Sequence, residues 1–143
     1  MKKAAIIGSI ITVVLALGII VTAWCNQEKD AEKFNIIINQ NTEDKIIGIH
    51  CEYYLKDKAI GGFELFYAYN MNFKKGEKIT LKFEKEMFPN HDDINDFSAE
   101  IYLIDENNNE TKAENDIKLN PEYGKSYEFD LSGGEKKYIL NER

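Results

Sequence analysis

The chain has 143 residues, 43% of them hydrophobic, with 18 basic and 25 acidic side chains and a net charge of −7. A chain this acidic repels phosphate backbones, which excludes nucleic acid as its partner. Two cysteines, Cys25 and Cys51, are too few for the disulfide frameworks of small secreted domains.

Met1-Lys2-Lys3 precedes an uncharged run of 21 residues, Ala4 to Trp24. A bilayer's hydrocarbon layer takes about 20 helical residues, whereas the apolar core of a cleaved secretory signal has roughly 7–15. The length predicts a retained transmembrane signal-anchor over residues 1–25. Lys2 and Lys3 on the short flank place the N-terminus in the cytoplasm and the rest of the chain outside. Two processed forms compete with this reading. Val21-Thr22-Ala23 offers a signal peptidase a cut after Ala23, which would release a secreted protein. Cys25 offers a site for lipidation, although Trp24 is large where a lipoprotein signal has a small residue. The Trp24 indole also suits the membrane–water interface. Within the run, Ala4, Gly8, Thr12 and Ala16 recur every four residues and make a stripe on which a second helix can pack closely. The plainer explanation is that small residues are common in membrane spans.

Residues 26–33 read as a juxtamembrane linker, with Lys29/Glu32 and Asp30/Lys33 spaced for pairing if the helix continues. Residues 34–143 are then one extracytoplasmic domain, long enough for a core of its own. Without Lys2 and Lys3, 16 basic side chains face 25 acidic ones outside, a net charge of −9.

Period-two alternation dominates this domain. Ile47, Ile49, Cys51, Tyr53 and Leu55 alternate with His50 and Glu52, Ile79, Leu81 and Phe83 with Thr80 and Lys82, and Tyr127, Phe129 and Leu131 with Glu128 and Asp130. Successive side chains of a strand leave opposite faces, so these are half-buried strands. Polar turn formers separate them, giving strands at 34–40, 46–55, 58–67, 78–84, 97–104, 112–119, 126–131 and 136–140. Eight short strands predict an all-β fold, a two-sheet antiparallel β-sandwich, immunoglobulin-like in the broad sense. The Cys–Trp–Cys signature of antibody domains is missing. Cys51, on an apolar strand face, reads as a buried free thiol rather than a partner for Cys25. Asn109-Glu110-Thr111 matches a glycosylation acceptor, but the Lys/Asn/Ile/Glu-rich usage is bacterial in kind, so no sugar is expected there.

Groups arranged for catalysis are few in this sequence. The only histidines are His50 and His91, and there is no Gly-x-Ser-x-Gly elbow or Gly-rich phosphate loop. His50 and Cys51 are strand neighbours whose side chains point apart, so they are no catalytic dyad. The carboxylates read as solvated faces and turns, and the expectation is that the chain is not an enzyme.

Two patches remain. Residues 85–88 read as a helical turn limited by Pro89. The polar loop that follows holds His91, Asp92, Asp93, Asn95 and Asp96, a candidate calcium site that lacks the EF-hand order and the six to eight oxygens calcium prefers. The plainer reading is a solvated loop. On the sheet, Phe63, Leu65 and Tyr67 share one parity, which turns Phe66 outward beside His50, Glu52 and Tyr54. Those four form a candidate recognition patch, because amphipathic aromatics bind proteins and sugars well. Ordinary cross-strand packing would explain the same pattern. Gly61-Gly62 marks a bulge or a close backbone approach nearby.

Gly48-Ile49-His50-Cys51-Glu52-Tyr53-Tyr54-Leu55, Gly61-Gly62, Lys75-Gly76-Glu77 and Phe88-Pro89 resemble an uncharacterised group of small anchored or secreted β-rich proteins of Gram-positive bacteria. The likeness spans most of residues 34–131 and departs at Cys51, where a bulky residue is expected. It implies a shared fold and no activity. The expected role is therefore a membrane-anchored, non-catalytic binding domain at the cell surface, with a protein partner or a cell-wall glycan. The alternatives are a calcium-binding accessory module using the 90–96 loop, or a structural subunit of a membrane complex assembled through the small-residue stripe.

Overall fold

A computed structural model describes residues 31–68, 71–91 and 93–143. The expected anchor over 1–25 with Ala4, Gly8, Thr12 and Ala16, most of the linker, Cys25, and Asp92 of the polar loop lie outside the described residues. Among the described residues no helix is long and apolar enough to cross a membrane. Ala31 and Glu32 form a turn and Lys33 already belongs to a strand, so no helical run extends to the end of the linker.

Nine strands follow: β1 (Lys33–Gln40), β2 (Ile46–Leu55), β3 (Lys58–Phe66), β4 (Lys78–Glu84), β5 (Phe97–Asp105), β6 (Glu110–Lys112), β7 (Ile117–Leu119), β8 (Ser126–Gly134) and β9 (Lys137–Glu142). They make two sheets around one core. The first has the order β4-β1-β8-β9. The second has the order β3-β2-β5, with β6 and β7 side by side along the free edge of β5.

The strand pattern is as expected, with two differences. The pairing is not antiparallel throughout, because β1 runs parallel to β8, Ile36 opposite Tyr127 and Ile38 opposite Phe129. These strands are far apart in the chain, and no hairpin dictates their direction. The expected strand over 112–119 is two short strands. Between them Ala113 is buried and bonds Ile101, while the Glu114 amide donates to the Tyr138 carbonyl and Asn115 exchanges hydrogen bonds with the Leu140 backbone. The chain leaves the second sheet there to bond with β9 of the first.

The inward residues are those the alternation selects, except at the start of β2, where a register shift between Ile46 and Gly48 buries Ile46 and leaves Ile47, expected inward, only half-buried. Phe34, Ile36 and Ile38 of β1 lie opposite Phe83, Leu81 and Ile79 of β4, and all six are buried. From the other sheet come Ile49, Cys51 and Tyr53 of β2 and Phe97, Ala99 and Ile101 of β5. Phe34 stacks on Phe83 at 5.0 Å between ring centroids and meets Phe97 edge-on at 5.2 Å, while Tyr53 meets Phe83 at 5.5 Å. These rings join the two sheets, each worth about 1.5–3 kcal/mol in burial alone. A 3-10 turn at Lys85–Met87, matching the expected helical turn, carries the buried Phe88 onto the same cluster, 6.0 Å from Phe34.

One hairpin positions the outer face of the second sheet. Lys56 and Asp57 have φ of 50° and 60° and join β2 to β3 in a two-residue turn, as the twist of paired strands requires. Tyr54 pairs with Ala59 but Tyr53 with Gly61, so Ile60 is an inserted bulge residue. The bulge reconciles the hairpin with the hydrophobic pattern. It turns Phe63 and Leu65 to the core and leaves Glu64 and Phe66 outward. Gly61 is needed beside it, because a Cβ there would lie 2.6 Å from the Tyr53 hydroxyl.

Candidate functional site

The outer face of the second sheet is a grid of cross-strand rows. Phe66, Gly48, Ile104 and Glu110 form one row, and Glu64, His50, Tyr102 and Lys112 the next. A third row holds Gly62, Glu52 and Glu100, and a fourth brings Tyr54 beside Ser98. The structure therefore places all four residues of the expected patch, His50, Glu52, Tyr54 and Phe66, on one face. Phe66 is the most open of them, 51% exposed, with its ring over Gly48. Gly62 adds no side chain to its row. An open groove of about 690 Å³ results, bordered by His50, Glu52, Tyr54, Glu64 and the Ala59–Gly62 backbone.

The electrostatics of this face are lopsided. Glu52 and Glu100 sit directly opposite each other, an arrangement that costs stability unless the charges find other partners. The Tyr54 hydroxyl donates to Glu52 at 3.0 Å and the Tyr102 hydroxyl to Glu100 at 2.8 Å. Lys112 reaches Glu100 at 2.6 Å and Asp116 at 3.1 Å. The bonds from Lys112 and Tyr102 hold the Glu100 carboxyl below its ordinary range. The bond to Glu100 pushes the Tyr102 phenol up to about 12 and, with Asp116, raises the Lys112 ammonium. Tyr54 is raised by its bond to Glu52.

His50 is held from three sides. Its ring stacks on Tyr102 at 5.2 Å, Nδ1 lies 3.3 Å from Glu110 Oε2, and Nε2 lies 3.8 Å from Glu52 Oε1. Glu64 faces it across the hairpin. Sequence reasoning left out Glu64, Glu100, Tyr102, Glu110 and Lys112. Glu64 had a signal, since its outward parity next to His50 follows from the alternation. The others depend on the registers of β5 and β6, which no local pattern encodes.

The polar loop is arranged differently. Asp93 accepts from Lys56 Nζ at 2.6 Å and from the Asn95 backbone and side-chain amides, which hold its carboxyl below the ordinary range. His91 Nδ1 lies 2.8 Å from the Lys85 carbonyl, and the Asp96 amide donates to the Asn120 side chain. These contacts tie the loop to neighbouring backbone and to Lys56. Among the described residues its His91, Asp93 and Asp96 side chains do not converge as a ligand set. Cys51 is a free thiol buried in the core, where the low-polarity surroundings push its pKa up to about 12.

No family of known proteins, no curated protein and no solved structure matches the chain.

Proposed function

We propose that residues 33–143 form a non-catalytic binding module, an immunoglobulin-like sandwich in the broad sense, held on the outside of a membrane by residues 1–25. The module engages a protein partner through the outer face of its second sheet. The observation that carries this reading is the composition of that face. Two accessible aromatic side chains, Tyr54 and Phe66, stand among Glu52, Glu64, Glu100 and Glu110, and Lys112 is already engaged by Glu100 and Asp116. Aromatic side chains anchor interfaces, and the excess of carboxylates selects a basic partner surface, whose arginines and lysines also stack on Tyr and Phe. A cell-wall glycan is the second ligand class such a face suits, since aromatic rings also hold sugars.

The test is cross-linking from the outer domain in intact cells. Tyr54→Ala with Phe66→Ala is expected to remove the cross-linked partner while the protein remains at wild-type level. An unchanged set of partners in that variant sinks the reading. Loss in Gly8→Leu instead moves the function to the N-terminal apolar segment and a structural role in a membrane complex.

A further inference from the structure

We propose that His50, Glu64 and Glu110 bind a divalent first-row transition cation, with zinc the best suited. A nitrogen of His50 and one carboxylate oxygen each of Glu64 and Glu110 lie within 4.8 Å of one another. Among the described residues this is the one place where three such groups converge.

The three donors come from β2, β3 and β6. His50 and Glu64 are a cross-strand pair, and Glu110 opens β6 opposite Ile104, one row away. The Ile60 bulge is what turns Glu64 to this face. With zinc–ligand bonds of 2.0–2.2 Å, tetrahedral donors stand about 3.4 Å apart. Small rotations at the ends of Glu64 and Glu110 close the gap, and both side chains are exposed and free to make them.

The donor chemistry selects the metal. Calcium and magnesium favour all-oxygen shells, whereas an imidazole with two carboxylates suits zinc and its neighbours. Three protein ligands leave a fourth position for water or an incoming group.

The surroundings of His50 fit a ligating imidazole. Nδ1 faces Glu110, while Nε2 faces Glu52 at 3.8 Å, and a carboxylate on the non-ligating nitrogen is the usual companion of a metal-bound histidine. Tyr102 stacks on the ring and is itself anchored on Glu100, which fixes the plane of the imidazole. Charge points the same way. Among the described residues no ion pair joins a lysine or arginine to Glu64 or Glu110, whose charged neighbour is His50 itself, so a cation there offsets two carboxylates that no described lysine or arginine neutralises. The groove borders His50 and Glu64, and the site is reached from solvent.

The inference goes beyond the partner reading and stands without it, since metal binding needs only this chain. The test uses the full, tag-free chain in detergent micelles with Cys25→Ser, freed of metal by a chelator. Zinc chloride is titrated by calorimetry and cobalt chloride by visible absorption. One saturable zinc per chain and the absorption of four-coordinate cobalt are expected. Glu64→Gln and Glu110→Gln should each weaken zinc roughly tenfold or more, in line with the loss of a ligand or its close support, while Asp93→Asn leaves affinity unchanged. Equal unfolding midpoints of the variants in chelator separate lost ligation from lost fold. Absence of saturable binding below about 1 mM, wild-type affinity in Glu64→Gln, or loss in Asp93→Asn overturns the proposal.

Discussion

The outer face of the first sheet carries Lys78, Glu128, Asp130 and Arg143 joined into one ion-pair group, with Lys78 3.1 Å from Glu128 and Arg143 3.1 Å from Asp130. Asn39 adds an amide to Glu128 and Asn35 bonds Ser126. The outer face of the second sheet has the same strand geometry but a different content. Its carboxylates outnumber its cations, aromatic side chains stand among them, and a glycine opens a groove beside them. One face is charge-balanced by its own neighbours. The other carries an excess that a ligand would complete. Two faces of one sandwich thus separate what the fold needs from what it does not need, and excess charge with accessible rings belongs to the second kind.

Four substitutions probe this contrast. Phe83→Ala removes a ring that both sheets share, and it is expected to cost about 3–5 kcal/mol. Both faces should then melt in one transition, seen by circular dichroism during urea unfolding. Separate transitions would mean that the sheets hold independently. Asp44→Ala comes next. Asp44 accepts from the Tyr138 hydroxyl at 2.7 Å and from the Glu135 amide at 2.9 Å, tying the β8–β9 hairpin to the loop that leads into the second sheet. Its loss strands the largely buried Tyr138 hydroxyl, which should cost about 1–3 kcal/mol by the same urea measurement.

Lys112→Met tests the second face by its acid response. Glu100 is held below its ordinary 4.5, chiefly by Lys112. A depressed carboxyl adds stability above its unfolded pKa, and that stability is lost as pH falls through the folded value. The wild-type urea midpoint should therefore drop more steeply between about pH 5 and pH 3 than that of Lys112→Met. Parallel curves would mean that Lys112 does not set the acid response of Glu100. The smallest effect is expected on the first face. Lys78→Ala breaks an exposed pair and should leave the neutral-pH midpoint within experimental scatter, as such pairs contribute little. A shift there as large as that of Asp44→Ala would erase the distinction between a solvated balance and a structural contact.

The strands were legible wherever one face is buried. In 49–53, 79–83 and 97–103 the buried residues fall on alternate positions, because a one-residue slip would expose them all. The outward setting of His50, Glu52, Tyr54 and Phe66 follows from that parity. The break at 113–116 was not legible, because Asn115 and Glu114 bond to β9, some 25 residues away. The parallel β1–β8 ladder is equally non-local. Glu110 reaches His50 for the same kind of reason, since a three-residue strand has too little alternation to reveal its partner.

The direction of β1 has a spatial consequence. Asn35 lies opposite Ser126, the first residue of β8, and the Gly124 amide bonds the Lys33 carbonyl, so β1 and β8 both start at one end of the sandwich. Phe34 meets Phe97 there, and Phe97 lies beside Leu55, which marks the same end of β2. Gly48 lies seven residues back along that strand, about 23 Å at 3.3 Å per residue. Phe66 and Glu110 share its row. Any leash attached ahead of Ala31 would hold the molecule by its near pole and offer the Phe66–Glu110 row at the far one.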